Sequence, residues 1–416
     1  MTKDISPEET VKPAGKPRIE YLDLIKGAGI MLVIIFHCPS ESPRNILDGV
    51  VTTFFMQIFF VLSGIMLSLT GESGISLKQS FIKKVKGLLL PYLYFSIADT
   101  IICILRYLAT GKTAELPAIL RIYTYQFFSF QGISVLWFLS ALFLAEVIFS
   151  LCLRAGNSLP VKEDEARNTK VYLRYTLPFI LSLVVGFFGV YLIGLIEHRD
   201  LFLNLSIVAD RGISADEIKD YRWWGYGWVH SIARGMVMTV FVCAGYYGAL
   251  LWKWIKNLSL PLQFKGYSAV LLELGFSLVL TATHLLIYRE NGRVNSAFCI
   301  FGSSALLYYL MGITSTAAAL FLARSIWGLL RVPPLAFILR IFTYFGKNSL
   351  IVMATHLDWY LVLAAYKLLL LLPFFPPERG HFNGTEALLR LLILIGVLLL
   401  EIPIITVFRM FKKHSR

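Results

Sequence analysis

Residues 21–39, YLDLIKGAGIMLVIIFHCP, form an apolar run with the length of a membrane-spanning α-helix. A spanning helix needs about 20 mostly apolar residues. Nine further runs of this kind follow along the chain, at residues 50–70, 87–108, 134–154, 174–197, 229–252, 267–288, 297–323, 348–372 and 386–410. The ten runs predict an all-α integral membrane protein with about ten transmembrane helices. The segment 326–346 contains Pro333 and Pro334, so we predict that it lies at the membrane interface without spanning.

The composition separates this chain from soluble proteins. Its 416 residues are 57% hydrophobic and only 16% charged, whereas soluble domains are about 45–50% apolar and about 25% charged. A net charge of +13 would suggest a nucleic-acid partner for a soluble protein. Here most basic residues lie between the apolar runs, which indicates contact with anionic lipid headgroups. We therefore expect the lipid bilayer, and no nucleic acid, as the partner of these charges.

The loop charges predict the orientation in the membrane. With the N-terminus in the cytoplasm, the inside segments hold 24 Lys and Arg residues and the outside segments hold 11. This asymmetry favours an even number of spans with both ends inside, as a multi-pass protein of the plasma (inner) membrane. The predicted organisation is a cytoplasmic disordered arm at 1–20, a transmembrane domain at 21–410 and a cytoplasmic tail at 411–416.

The cysteines indicate neither a disulfide framework nor a zinc site. They are widely spaced, form no CxxC or CxxxH pair and lie in or beside apolar runs, at Cys38, Cys103, Cys152, Cys243 and Cys299. Metal and disulfide sites need closer or paired spacings. We expect small buried packing residues and no bound metal.

The first run carries three ionisable residues on one face. His37 lies eleven residues after Lys26, which brings the two within about 20° on a helical wheel, and Asp23 falls within about 60° of both. Ionisable groups inside a span are costly and usually face a polar interior. Two structural alternatives remain: Lys26 could snorkel to the inner surface beside Asp23, and His37 could be a packed histidine near the outer interface.

Histidine suits general-base catalysis, because its pKa lies near working pH. His37 could take a proton from a sugar hydroxyl while that oxygen attacks a thioester. Lys26 on the same face could hold an anionic group or orient the donor. The sequence contains no Ser-His-Asp or Cys-His elbow pattern, so direct transfer is simpler than a covalent intermediate.

These residues resemble the membrane-bound acyltransferase family 3, and within it the fucose 4-O-acetylase-like group. That family is marked by an arginine, ten residues and a histidine in the first span. His37 stands at the histidine position, and Asp23 matches an acidic residue that often precedes the arginine by three. Lys26 stands at the arginine position, where it keeps the charge but lacks the bidentate fork.

Further motifs match the family in order. They are Phe59–Gly64 (FFVLSG), Lys83–Lys86 followed by Pro91-Tyr92, Leu136–Leu139 (LWFL), Arg234 with Phe241 and Gly245, and Gly346–Leu350 followed by His356. The resemblance implies transfer of an acyl group, usually acetyl from acetyl-CoA, to a hydroxyl of a surface polysaccharide, its lipid-linked precursor or another glycan. It implies acetyl-CoA as co-substrate, a carbohydrate acceptor and no tightly bound cofactor.

The basic inside loop offers a place for the donor. Lys83, Lys84 and Lys86 could bind the phosphates of CoA, although the positive-inside rule alone would also explain them. The pantetheine arm could then thread along the Lys26 face until the thioester approaches His37.

Six residues are candidates for lining the cavity or binding the acceptor: Ser63, Trp137, Arg234, Asn348, Ser349 and His356. Some have structural alternatives, since Ser63-Gly64 could allow close helix packing and Trp137 could anchor the interface. His284 is a weaker candidate than His37. The outside loop 198–228 is rich in charged residues and could lie over the mouth of the site or could simply be solvated.

Two other classes of protein remain open. A transporter or flippase of lipid-linked sugars would use the same polar interior with alternating access and no thioester chemistry. A non-catalytic partner of a polysaccharide synthase would tolerate replacement of the ionisable face. The spacing of Lys26 and His37 favours the acyltransferase. It predicts neither the acceptor, the nature of the acyl group nor the oligomeric state.

Overall fold

The computed structural model describes residues 19–38, 46–158, 170–197, 221–257, 267–329, 333–371 and 386–414. These residues are helical almost throughout, and the one β-interaction among them is an isolated bridge between Asn295 and Ile300. The helices are α1 (Glu20–His37), α2 (Ile46–Thr52), α3 (Gln57–Thr70), α4 (Leu77–Lys84), α5 (Leu90–Ala109), α6 (Leu116–Phe128), α7 (Trp137–Asn157), α8 (Lys170–Glu197), α9 (Tyr221–Asn257), α10 (Tyr267–Asn291), α11 (Ala305–Leu329), α12 (Pro333–Lys347), α13 (Ser349–Thr355), α14 (Leu361–Leu370) and α15 (Glu386–His414).

Within the described residues, eight helical stretches are long and apolar enough to cross a membrane. They are Asp48–Thr70, Leu77–Ala109, Ser134–Asn157, Arg174–Ile196, Gly225–Ile255, Tyr267–Asn291, Ala305–Gly328 and Ala387–Phe411. The prediction of an all-α, multi-pass membrane protein is therefore confirmed. The total of ten spans and the orientation with both ends in the cytoplasm stay predictions.

The two remaining predicted spans differ from the other eight. Helix α1 carries Glu20, Asp23 and Lys26, so its 18 residues include more charge than an ordinary apolar span. The predicted span 348–372 is two shorter helices, α13 and α14, separated by a turn. The predicted span 297–323 also begins later than expected, because the residues before Ala305 form a loop closed by the Asn295–Ile300 bridge.

Most of the segment 326–346 is helical, and its second half belongs to α12. Together, α12 and α13 are long and apolar enough for a broken span or a re-entrant loop, with a bend of 69° between them. The interfacial position of this segment stays a prediction. Pro333 stands at the first position of α12. There a proline lacks only an N–H that would have no helical partner, so the prolines start this helix instead of breaking it.

Asn348 lies at the bend between α12 and α13. Its side-chain Nδ2 donates to the carbonyl of Tyr344 at 2.6 Å, and its Oδ1 accepts from Nε of Arg409 at 3.2 Å. The side chain thus bonds the end of α12 and a residue of α15 at the point where the chain turns. The bend directs α13 back toward α1.

Glycines bring two pairs of helices into backbone contact. Where α1 crosses α12, a Cβ on Gly27 would collide with the carbonyl of Phe342, and a Cβ on Gly346 would collide with that of Asp23. Small residues of this kind let membrane helices approach closely. The crossing fixes α12 against the N-terminal half of α1, at the level of Lys26.

The crossing of α3 and α9 uses the same device. A Cβ on Gly64 would collide with the carbonyl of Val242, and a Cβ on Gly245 would collide with that of Val61. Both glycines belong to motifs singled out in the sequence. The packing alternative for Ser63-Gly64 is the one that the structure supports at Gly64.

A buried ion pair joins the end of α4 to the turn before it, beside α7. Lys84 Nζ lies 2.7 Å from Glu72 Oε1, and both side chains are buried. Ser150 of α7 donates to the same carboxylate at 2.8 Å, and Ser80 donates to it as well. Burial favours the neutral carboxyl, but the hydrogen bonds from Lys84 and Ser80 outweigh it and lower the pKa of Glu72.

Candidate active site

A cavity of about 940 Å³ lies among α1, α5, α6, α9 and the turns that precede α7, α11 and α14. Apolar side chains form much of its wall. The histidine, arginine, aspartate and amide-bearing side chains that line it are His37, Arg106, Gln126, Gln131, His230, Arg234, Asn295 and Asp358. A mostly apolar cavity with a few convergent polar groups is the usual form of a small-molecule site.

Two histidines meet at the wall of this cavity. His37 is the last residue of α1, and its Nδ1 lies 2.9 Å from the carbonyl of Val33 and 3.3 Å from Nε2 of His356. His356 is fully buried, and its Nδ1 lies 2.8 Å from the carbonyl of Val352. The pair joins residues 319 positions apart in sequence.

If both rings are neutral, the contacts of this pair define their tautomers. A carbonyl oxygen only accepts, so Nδ1 of His356 donates to Val352, and Nε2 of His356 accepts. Nδ1 of His37 then carries the proton that points to Val33 and His356. Nε2 of His37 is left as the unprotonated ring nitrogen, which is the protonation state that a general base needs.

The C-terminal helices hold His356 in place. Thr355, the last residue of α13, donates from its hydroxyl to Oε1 of Glu401 on α15 at 2.6 Å. Both side chains are fully buried. This contact and the bend at Asn348 fix the turn in which His356 lies, and so fix the ring behind His37.

Arg234 places a guanidinium group on another part of the wall. Its Nη1 donates to the carbonyl of Ala297 at 3.1 Å, and its Nη2 donates to those of Phe130 and Gln131 at 3.2 and 2.9 Å. Its guanidinium carbon lies 5.3 Å from the ring centroid of Trp137. These acceptors are all uncharged, and none of the described carboxylates forms an ion pair with Arg234. Within the described residues, the guanidinium group of Arg234 is thus held by carbonyl groups, and it ties together the loops before α7 and α11.

Several residues of this wall were not predicted. His230 lines the cavity one turn before Arg234 on α9, and Gln131 Nε2 donates to its Nδ1 at 3.1 Å. The i, i+4 spacing of His230 and Arg234 is a sequence signal that could have revealed it. Asp358, two residues after His356, and Asn295 also line the cavity, but no spacing in the sequence distinguishes them.

Of the predicted site residues, the cavity brings together His37, Trp137 and Arg234, with His356 directly behind His37. Lys26 is half-buried and Asp23 is buried, but neither lines the cavity. Eleven residues of helix separate Lys26 from His37 by about 16 Å. The structure therefore does not join Lys26 and Asp23 with His37 in one site.

The other candidates have structural contacts outside the cavity. Ser63 donates to Oε1 of Glu146 on α7 at 2.5 Å. Asn348 makes the contacts of the helix bend, and Ser349 is a half-buried residue beside it. His284 is buried, with Nε2 3.0 Å from the hydroxyl of Thr53 and Nδ1 3.3 Å from the carbonyl of Met311.

The three lysines that are predicted to bind the donor differ in their exposure. Lys84 is paired with Glu72 and buried, so its ammonium group cannot serve a phosphate without breaking that pair. Lys83 and Lys86 are exposed. Most of the outside loop 198–228 lies beyond the described residues.

The helices and the cavity define a multi-pass membrane protein with a histidine and an arginine at one internal site. A family model described as an acyltransferase domain, of acyltransferase family 3, matches residues 19–407. The chain belongs to this family, and it is a membrane acyltransferase. No curated protein matches the chain. The match supports acyl transfer and does not support the transport alternative; the fucose 4-O-acetylase-like subgroup stays a prediction.

Proposed function

We propose that this protein is an O-acyltransferase that moves an acyl group, most simply acetyl, from acyl-CoA to a hydroxyl of a surface glycan or its precursor. The observation that carries the proposal is the histidine pair, in which His356 and Val33 occupy Nδ1 of His37. Nε2 of His37 is then the nitrogen that serves as general base at the cavity wall.

The proposed reaction proceeds by direct transfer. Nε2 of His37 takes the proton of the acceptor hydroxyl as that oxygen bonds to the thioester carbon. The C–S bond then breaks, and the imidazolium of His37 returns the proton to the sulfur of the leaving CoA. The products are an ester and a free thiol, so the base is restored after each turnover.

Arg234 is the proposed electrostatic partner of this step. Negative charge develops on the thioester oxygen in the transition state, and a preorganised cation nearby stabilises it. Three hydrogen bonds to carbonyl groups hold the guanidinium in place before the substrate arrives. Its charge is therefore available without reorganisation of the site.

The donor is proposed to reach the site from the cytoplasm of the cell, across the plasma membrane. Lys83 and Lys86 are exposed and remain the proposed contacts for its phosphates. A path along Lys26 would have to skirt α12, which packs against α1 at Gly27. Lys26 and Asp23 are accordingly proposed for donor passage and not for the chemical step.

The function is tested by assaying purified protein in nanodiscs with acetyl-CoA and a panel of oligosaccharides. We expect free thiol to appear only when an acceptor is present, in equal amount to the ester formed. If oligosaccharides bind but none in the panel leads to cleavage of the thioester, the result would contradict acyl transfer. It would favour a transporter of lipid-linked sugars instead.

His356 is expected to act as a positioning residue for His37. His356→Phe keeps a ring of similar size but removes the acceptor of Nδ1–H of His37 that lies outside α1, and leaves only Val33. The ring of His37 is then less firmly oriented, so kcat should fall by about 10- to 100-fold, as for other groups that orient a catalytic ring. The KM for acetyl-CoA should change little. The measurement is steady-state acyl transfer by this variant and by the matched variant His356→Gln.

The matched variant is His356→Gln, whose amide oxygen can again accept from His37. It should recover part of the kcat lost in His356→Phe. Equal kcat in the two variants would mean that His356 only fills space.

A further inference from the structure

One part of the cavity wall differs from the rest of the site. It is formed by Arg106 and Tyr107 of α5, Tyr123 of α6 and Tyr360 at the start of α14, and these four residues are called the tyrosine wall. The rest of the apolar lining is mainly aliphatic. A wall of three phenol rings and a guanidinium offers flat apolar faces edged by hydrogen-bonding groups.

Arg106 and Tyr360 hold each other in this wall. Nη1 of Arg106 donates to the Tyr360 hydroxyl at 2.7 Å, and the guanidinium carbon lies 4.6 Å from the ring centroid. Tyr360 has a φ of 58°, in the left-handed region that tyrosine rarely adopts. Such strain persists where the surrounding fold fixes a residue, and it concentrates at functional sites.

The charge of Arg106 has no carboxylate partner among the described residues. Its phenol partner, Tyr360, is neutral, and the other arginine of the cavity, Arg234, bonds only carbonyl groups. Asp358 is the one acidic residue of the described lining. Among the described lining residues, two arginines thus stand with one acidic side chain.

The tyrosine wall points to an anionic sugar as the acceptor unit that the site recognises. We infer that a sugar bearing a carboxylate or phosphate lays its C–H face on the tyrosines while Arg106 binds the anionic group. The guanidinium fork matches both anions with two parallel hydrogen bonds. This inference rests on the proposed function and names the class of its acceptor.

The test compares charged and neutral forms of one ligand. A uronic-acid oligosaccharide is paired with its methyl ester, and a hexose phosphate with the free hexose. Binding is measured by calorimetric titration of the wild type and Arg106→Gln in nanodiscs, and acyl transfer is measured in parallel. The titration measures binding and needs no turnover. Absence of acyl transfer would therefore contradict the proposed function, whereas the binding data alone decide the class of acceptor.

The wild type should bind one of the anionic ligands more tightly than its neutral partner, and the pair that responds identifies carboxylate or phosphate. Arg106→Gln should weaken that binding by about 10- to 100-fold, from the loss of a charged hydrogen bond. Binding of the neutral partner and the KM for acetyl-CoA should change less than about twofold. Tyr360→Phe, which keeps the ring but removes the phenol bonded to Arg106, should give a smaller loss.

Lys112→Gln is the control for general electrostatics, because Lys112 is an exposed cation outside the cavity lining. It should leave all four affinities unchanged. Equal affinity of the wild type for charged and neutral forms would overturn the inference. So would a rise in the KM for acetyl-CoA in Arg106→Gln without loss of anionic acceptor binding, since Arg106 would then serve the donor phosphates.

Discussion

His37→Ala is expected to lower kcat for acyl transfer by about 10²- to 10⁴-fold, the range for loss of a general base. The reason is that Nε2 of His37 is the proposed proton acceptor, and its Nδ1 is already committed to Val33 and His356. The KM for acetyl-CoA should change little, because the donor's phosphates bind elsewhere. The measurement is steady-state release of thiol from purified protein in nanodiscs with an active acceptor.

His284→Ala is the matched control for this variant. His284 is also a buried histidine with two hydrogen-bond partners, but it lies outside the cavity. Its replacement should lower thermal stability without a comparable loss of kcat. Turnover in His37→Ala equal to that of the wild type would remove His37 from the chemistry.

Gly245→Ala is expected to lower the free energy of unfolding by about 3 kcal/mol, at the upper end of the range for overpacking. The added Cβ would collide with the carbonyl of Val61 on α3, and backbone cannot turn aside as a side chain can. The helices α3 and α9 would have to separate along their whole crossing. Thermal unfolding in detergent and the yield of monodisperse protein measure the effect.

Gly248→Ala, three residues further along the same helix, is the control. No heavy atom outside its own helical turn lies within 4 Å of a Cβ built there. This variant should match or slightly exceed the wild-type stability, since alanine favours a helix over glycine by about 1 kcal/mol. Equal thermal midpoints for the two variants would contradict the close crossing.

The spanning helices were predictable because each one depends on a local property. A window of about 20 residues contains all the information on whether a segment prefers lipid. The bend at Asn348 was not predictable in this way, because it depends on contacts with α15 through Arg409. The burial of Lys84 was not predictable either. Its position on the helical wheel does not indicate that it pairs with the carboxylate of Glu72.

The site was predictable only in part. His37 is distinguished by its place in an apolar run, and Arg234 by its charge within another, the run 229–252. Helical spacing predicts that Lys26 lies on the same face of α1 as His37. Only the C-terminal end of α1 lines the cavity, however, so Lys26 does not belong to the site of His37. His356 is the second partner of Nδ1 of His37, after the carbonyl of Val33, and no local pattern pairs residues that far apart.

The long sequence separation of His37 and His356 also has a consequence for biosynthesis. The base emerges with the first helix, whereas its partner emerges only with α13, and Glu401, which bonds Thr355, emerges with the last helix. Most of the chain must therefore be synthesised and inserted into the membrane before His37 and His356 can meet. A prematurely released chain would hold His37 with Val33 but without His356 and without Arg234 if it ends before α9, and such fragments should be inert toward the cell's thioesters.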